Sequence, residues 1–409
     1  MPELGRSPLE LNLLLEAVEA APPIAAADVV GAALAEALGA REVSFLIADF
    51  GGGSLVRLGQ RHGGRPTRAT AGETAERVGV AGTPHGRALE EQTVVVVAVE
   101  NGAAVHAPVT SRGEAVGVLE LRLPYTPDEE ACAAIGMAAH ALAYVIIANR
   151  RYTDLFEWGR RSVPLSLAAE IQHRLLPGSF TCEAGQFTVA GWLEPAGDVG
   201  GDTFDFSVER ETLHLSMTDA MGHTVDAALL ATLAVGALRN ARRQGGSLVA
   251  QAAQANVAIA DHARTGRFVT GQLVRVDLAT QTAGIINAGH PPPVRVRDGR
   301  AETIVLGADL PFGTQPPDTD YEVQRLDLRP GDRFVFLTDG VLEREAAELD
   351  VHAVLTATRD VHAREAVQHL AREVLRVSGG ELRDDATALC LDWHGGEPRD
   401  RRSATGADF

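Results

Sequence analysis

From residue 187 to residue 392 the chain is a succession of short apolar runs, and their spacing narrows the folds open to it. F-T-V-A-G-W-L (187–193), T-L-H-L-S-M-T (212–218), F-V-T-G-Q-L-V-R-V-D-L (268–278), A-G-I-I-N-A-G (283–289), P-V-R-V-R (293–297), R-F-V-F-L-T (333–338) and A-T-A-L-C-L-D (386–392) read as strands. Helical stretches fall near 226–243 and 247–262, with one or two more between 350 and 377. Several strand pairs have hairpin spacing, and Asp298-Gly299 marks one tight turn. Such a pattern predicts a β-sandwich with helices on its outer faces, not an alternating βαβ sheet.

The first part of the chain reads differently. Residues 10–40 have helical spacing interrupted by Pro22-Pro23. E-V-S-F-L-I-A-D-F (42–50) reads as a strand ended by Gly51-Gly52-Gly53, and S-L-V-R-L (54–58) as a weaker one. Residues 60–80 are polar and rich in Gly and Thr, which predicts a loop. T-V-V-V-V-A-V (93–99) reads as a buried strand, and residues 106–123 as two strands with a turn at Arg112-Gly113. A long helix is expected from Asp128 to about Arg160. Pro164 separates it from a second, amphipathic helix at 165–176, with Leu167, Ile171, Leu175 and Leu176 toward one side and Pro177-Gly178 as its stop. The tail, 395–409, is polar and reads as disordered.

A length of 409 residues suits two or three domains. The net charge of −18 argues against a nucleic-acid partner. Cys132, Cys182 and Cys390 lie far apart without a C-x-x-C, so neither a disulfide framework nor a zinc site is indicated. No lysine occurs, which removes P-loop, kinase-lysine and Schiff-base chemistry. The N-terminus does not read as a signal peptide. The most apolar stretch, 133–148, is shorter than the roughly 18–20 residues of a spanning helix and contains His140. A buried or dimer-forming helix, no membrane partner and a cytoplasmic protein are expected.

Chemistry concentrates at four aspartate sites: V-G-G-D (Asp202), M-T-D-A-M-G-H (Asp219), L-T-D-G-V (Asp339) and R-D-D-A-T (Asp384, Asp385). Each stands at or near the end of a run that reads as a strand. Any one could be only a turn. Together, with no His or Cys cluster beside them, they suit a hard cation, Mg²⁺ or Mn²⁺ rather than Zn²⁺. In the first half, His85, His106 and His140 read as surface or core histidines rather than ligands.

Two resemblances follow. Residues 10–150, with P-V-T-S-R-G-E-A-V-G-V-L-E-L at 108–121, resemble a GAF domain, which implies a small α/β sensor or dimerisation domain. Residues 165–392 resemble the PPM (type 2C-like) metal-dependent Ser/Thr protein phosphatases, and most closely their bacterial sporulation-phosphatase branch. A-E-I-Q-H-R-L-L-P (169–177), P-A-G-D-V-G-G-D (195–202), D-A-M-G-H (219–223), F-V-T (268–270), N-A-G-H-P-P-P (287–293), L-P-F-G (310–313), L-R-P-G-D-R (328–333), T-D-G-V-L-E (338–343) and D-D-A-T (384–387) carry that resemblance. It implies an α+β chain: a sensor at 10–150, a helical linker at 151–177, an α-β-β-α phosphatase sandwich at 178–394 and the tail at 395–409. It further implies two Mn²⁺ or Mg²⁺ ions held by Asp202, Asp219, Asp339 and Asp384 with the Ala220 carbonyl, Asp219 bridging them. Asp385 is the alternative to Asp384. The implied reaction is attack of a metal-activated water on phosphoserine or phosphothreonine of an anti-sigma-factor antagonist (STAS-type) protein, in a homodimer regulated by the sensor.

The chain departs from the family at Met221, where eukaryotic members carry a His, and at Thr224, where a Gly lost from a positive-φ turn would cost about 1 kcal/mol. His223 is a nearby basic group, and His290 reads as structural. No Arg stands out for substrate phosphate. The competing readings are a catalytically silent PPM-fold binding protein, a metal nuclease, which the charge disfavours, and a G-G-D nucleotide cyclase, which the strand-rich context opposes.

Overall fold

The computed structural model describes residues 11–62, 65–68, 75–161, 165–196, 200–222, 224–262, 266–316, 319–342, 349–379, 382–396, 401 and 406–407. Pro164, His223 and much of the expected tail lie outside the described residues. The chain divides into two compact units, Met1–Pro164 with Arg402–Asp408, and Leu165–Arg401 with Phe409.

The first unit runs α1 (Leu11–Ala20), α2 (Ala26–Leu38), β1 (Glu42–Ala48), β2 (Ser54–His62), β3 (Arg65–Arg68), β4 (Arg77–Gly79), α3 (Pro84–Glu91), β5 (Val95–Val99), β6 (Gly102–Ser111), β7 (Glu114–Leu123), α4 (Glu129–Asn149) and α5 (Leu155–Gly159). Its sheet has the order β3-β2-β1-β7-β6-β5, with β4 also on β2. Alternation sorts the side chains: Val43, Phe45, Ile47, Leu119 and Leu121 bury against α2 and α4, whereas Leu46, Leu55 and Val118 meet Leu89 of α3. Arg112 (φ 49°) and Gly113 (φ 80°) make the expected β6–β7 turn, both left-handed as a two-residue hairpin loop requires.

The structure departs from the sequence reading at five places in this unit. The stretch read as a loop at 60–80 contributes the end of β2 together with β3 and β4, because backbone pairing needs no apolar pattern. The strand expected to be buried, β5, is an edge strand with Val96 and Val99 exposed; β-branched residues favour a pleat, not necessarily an interior. Helix α3 has no counterpart in the sequence reading; Thr83 caps it, accepting from Gly86 N at 3.1 Å. The long helix breaks at Thr153, whose extended backbone (φ −152°) precedes a new start at Leu155, and Thr153 Oγ1 accepts from Leu155 N. The apolar segment is longer than read: the helical stretch Glu129–Tyr152 contains an 18-residue window with a mean hydropathy of 2.0, long and apolar enough to cross a membrane. Ile135, Ala139, Leu142 and Ile146 of α4 are nonetheless buried in the protein core.

The second unit runs α6 (Leu167–Leu175), β8 (Thr181–Glu183), β9 (Phe187–Glu194), β10 (Asp202–Val208), β11 (Thr212–Ala220), α7 (Val225–Arg243), α8 (Leu248–His262), β12 (Val269–Asp277), β13 (Thr282–Ala288), β14 (Val294–Arg297), β15 (Arg300–Thr303), β16 (Gln324–Leu326), β17 (Asp332–Leu337), α9 (Asp339–Leu342), α10 (Val351–Ala357), α11 (Ala363–Val377) and β18 (Ala386–Trp393). Two sheets form, β10-β11-β12-β13-β16 and β15-β14-β17-β18-β9-β8. Phe204, Leu215, Met217, Val274 and Ile285 of the first meet Phe187, Val189, Phe334, Phe336, Leu389 and Leu391 of the second. Each fully buried Phe or Leu there contributes about 1.5–3 kcal/mol. Outside, α7 and α8 cover one sheet and α10 and α11 the other, which completes the α-β-β-α sandwich.

Helix α6 buries only part of the expected face: Leu176, just past its end, enters the sandwich core and Leu175 packs against the α7–α8 layer. Ala168, Ala169 and Gln172 are buried, while Leu167 is exposed. The chain approaches closely at Ala168: a Cβ on Gly200 would lie 2.8 Å from its backbone, so small residues are required at that contact.

Candidate metal centre

The inward faces of both sheets change from apolar to polar at one end of the sandwich. In β10, Phe204 faces the core and Asp202, two residues earlier, shares its face; in β11, Met217 and then Asp219 do the same. Asp202 and Asp219 are direct partners across the two strands. The opposite sheet continues the pattern: Phe336 is followed by Thr338, and Leu389 is preceded by Thr387. Thr338 Oγ1 donates to Asp202 Oδ2 at 2.6 Å and Thr387 Oγ1 donates to the same oxygen at 2.7 Å. Asp202 is thereby fixed from the far sheet while its partner acid stands beside it.

Burial and the neighbouring Asp219 and Asp385 charges push the Asp202 carboxyl well above its ordinary range, against the two threonine hydrogen bonds. Such a group favours a cation. The donors are all hard oxygens, which fits Mg²⁺ or Mn²⁺. The Ala220 carbonyl lies against Gly201, where a Cβ would sit 2.6 Å from its oxygen; glycine there leaves that carbonyl unobstructed. Asp339 is half-buried at the first residue of α9, and Gly340 behind it lies so close to the Asp385 carbonyl that a Cβ would be 2.0 Å away. Among the described residues, no three of these carboxylates bring ligand atoms within 4.8 Å of one another.

The Asp384–Asp385 pair divides into two roles. Asp385 is buried, and both of its oxygens are committed. Oδ1 accepts from Ala196 N at 2.9 Å, and Oδ2 accepts from Gly201 N at 3.0 Å, Asp202 N at 3.4 Å and Gln172 Nε2 at 2.6 Å. Asp384 is exposed, and its Oδ1 accepts from Asp385 N. Gln172 was not singled out in the sequence; it also donates to the Asp202 carbonyl at 2.8 Å. The leucines of α6 drew attention away from it, although it sits within A-E-I-Q-H-R.

The turn after β11 is compatible with its unusual residues. Thr224 has an extended backbone (φ −144°) and caps α7, accepting from Asp226 N, so the expected cost of a missing glycine does not arise. Arg267, also unanticipated, donates to the Met221 carbonyl at 3.0 Å and braces the turn. His290 is buried beside this end: its backbone N–H donates to Asn287 Oδ1 and its Nδ1 shares a hydrogen bond with Thr270 Oγ1. Burial pulls its pKa down to about 4, the Leu337 backbone counteracting.

In the first unit, the structure brings together three residues that the sequence left apart. His106 and Glu120 are direct partners across β6 and β7, and His85 of α3 places Nε2 3.0 Å from Glu120 Oε2. Burial tends to raise the Glu120 pKa, but hydrogen bonds from His85 and Arg57 outweigh it and bring it to about 2. Positions 85, 106 and 120 carry no local spacing signal. His140 stands elsewhere, its Nδ1 donating to the Thr110 carbonyl.

Residues 209–394 match the family model described as Stage II sporulation protein E (SpoIIE). The chain is similar to phosphoserine phosphatase RsbU of Bacillus subtilis (strain 168), 22% identical over 239 residues, which cover 56% of this chain and 69% of that protein. It is similar to phosphoserine phosphatase RsbP of the same organism, 21% identical over 188 residues; the alignment covers 45% of this chain and spans less than half of the relative, 46%. Among solved structures, the RsbU and RsbW domains of Rv1364c from Mycobacterium tuberculosis align with a TM-score of 0.46 at 24% identity, covering 53% of this chain and 63% of that one.

Proposed function

We propose, for a chain whose residues 209–394 match the SpoIIE family model, a metal-dependent, PP2C-like protein phosphatase acting on phosphoserine or phosphothreonine of a regulatory protein. The observation that carries this reading is the register pair Asp202–Asp219 at the polar end of the two-sheet interior, held from the far sheet by Thr338 and Thr387.

Asp202, Asp219, Asp339 and Asp384, with the Ala220 carbonyl, would hold two Mg²⁺ or Mn²⁺ ions, Asp219 shared between them. Bound there, the ions would supply an activated water and neutralise the phosphoryl oxygens. The protein's own contribution is placement. The two threonines orient Asp202, Asp385 gathers the backbone N–H groups of Ala196, Gly201 and Asp202, and Gln172 ties α6 to both. Asp384 is preferred to Asp385 as the ligand because Asp385 has no oxygen left uncommitted.

The named activity of RsbU and RsbP as phosphoserine phosphatases supports phosphoserine as the group hydrolysed; an anti-sigma-factor antagonist of STAS type as substrate, in the cytoplasm, is the proposal that the family resemblance adds. The antiparallel sheet and flanking helices of the first unit support its reading as a GAF-like sensor, with dimerisation through the helices of 128–176. We place the regulatory input at α6, because Gln172 reaches the site. The second reading, a silent binding protein, draws on the absence of a tight three-carboxylate cluster among the described residues.

Phosphate release from a phosphoserine protein, with Mn²⁺ and then with chelator, tests the reading in wild type and Asp339→Asn. Metal-dependent release that collapses in the variant supports it. No release from folded wild-type protein overturns it in favour of the binding protein.

A further inference from the structure

We propose that His85, His106 and Glu120 form a second metal site, in the first unit, for a divalent transition metal such as Zn²⁺ or Fe²⁺. The potential ligand atoms of the three all lie within 4.8 Å of one another, and all three residues are buried. They come from three elements: His85 from the first turn of α3, His106 from β6 and Glu120 from its direct partner position on β7. They lie on the sheet face that α3 covers, opposite the main apolar core.

A second observation points to a ligand. His85 and His106 are 8% and 4% exposed, yet the Nδ1 atom of each is buried without a hydrogen-bond partner. Buried polar atoms are nearly always satisfied, and a pair left over in one cluster calls for an explanation. The rings meet edge to face with centroids 4.4 Å apart, so the two imidazoles stand side by side in one cluster.

The distances suit the chemistry. Ligands about 2.0–2.1 Å from a tetrahedral zinc are separated by about 3.3 Å, and the ligand atoms here lie within 4.8 Å of one another; the unpartnered Nδ1 atoms are those left for the ion, while His85 Nε2, 3.0 Å from Glu120 Oε2, holds its ring in place. Two imidazoles and one carboxylate are the donor set of zinc enzymes and of non-haem iron sites. Arg57 donates to Glu120 Oε2 at 3.1 Å while also reaching Glu76 at 2.8 Å. It therefore orients the carboxylate, as outer partners of metal ligands do. The donor set differs from the all-oxygen set of the second unit, so the two sites would select different ions.

Cobalt titration of the untagged full-length protein tests this, because the two kinds of site differ in colour. Cobalt in a tetrahedral site with nitrogen ligands absorbs strongly in the visible, whereas octahedral all-oxygen cobalt absorbs weakly. One strongly absorbing Co²⁺ per chain is expected in wild type and in Asp219→Asn, with at least a tenfold loss of affinity in His106→Gln and Glu120→Gln. Circular dichroism checks that the variants fold. Strong bands that persist unchanged in both folded variants would overturn the proposal. If neither variant folds, the Asp219→Asn spectrum decides: strong bands support the site, and their absence overturns it. Failure here would leave the phosphatase reading untouched, since that reading uses none of these residues.

Discussion

Gln172 Nε2 donates to Asp385 Oδ2 at 2.6 Å, and this bond joins a helix outside the sandwich to the carboxylate that organises the acidic end. Gln172 is fully buried. Its replacement by Leu deprives both Asp385 and the Asp202 carbonyl of a donor. The expected result is about 1–3 kcal/mol of lost stability and a roughly tenfold to hundredfold fall in Mn²⁺-dependent phosphate release, from misplacement of the site. Denaturant unfolding and kcat at saturating metal measure the two effects separately. Wild-type kcat in the variant would detach α6 from catalysis.

The two adjacent acids should separate by readout. Asp384→Asn removes an exposed carboxylate, so the thermal midpoint should hardly move while the Mn²⁺ concentration needed for activity rises. Asp385→Ala orphans buried N–H groups of Ala196 and Gly201 and should cost about 2 kcal/mol of stability. Equal midpoints for the two variants would contradict this division of roles.

Arg333 is the strongest purely structural test. It is 4% exposed, pairs through Nε and Nη2 with Asp392 at 2.6 and 2.7 Å, and donates to the carbonyls of Thr358 and Val361. Arg333→Ala strands Asp392 and two carbonyls between β17 and the α10–α11 connection. A loss of about 3–5 kcal/mol is expected in chemical denaturation, as for other broken buried pairs. A change below about 1 kcal/mol would show that water reaches this network.

His290 predicts an acid-labile fold. Its folded pKa is about 4 against 6.5 for an ordinary histidine, with burial as the main cause. The unfolded chain therefore binds the proton first, and stability is full above about pH 6.5 and lost as pH falls from there through about 4. The ceiling for this group is about 3 kcal/mol. His290→Gln should flatten the unfolding free energy over that window. An unchanged slope would assign the acid sensitivity to the carboxylates instead.

Legibility in the sequence followed alternation. Phe204, Met217, Phe336 and Leu389 announce the inner faces, and the polar residue two positions toward the strand end on each, Asp202, Asp219, Thr338 and Thr387, marks where the interior turns acidic. The two threonines passed unnoticed because a hydroxyl in a β-rich stretch looks like an ordinary strand residue. Gln172 and Arg267 were hidden for a different reason: each reaches a backbone carbonyl, of Asp202 and of Met221, and such partners leave no mark on composition. Strands β3 and β4 are short and pair with β2 within a polar stretch that carries no alternation to announce them. The His85–His106–Glu120 cluster depends on α3 lying over β6, a tertiary fact that no spacing along the chain encodes.

The pairing of Asp202 with Asp219 also says how this site can and cannot change over evolutionary time. Because a strand turns successive side chains to opposite faces, a deletion or insertion of one residue ahead of either aspartate would send it to the α7 side, where Asp205 already sits with Arg239 and Arg242. Gradual drift in strand length is therefore closed to β10 and β11. Variation in this domain should accumulate as whole loops added between strands, with the two acid-bearing segments kept at constant length.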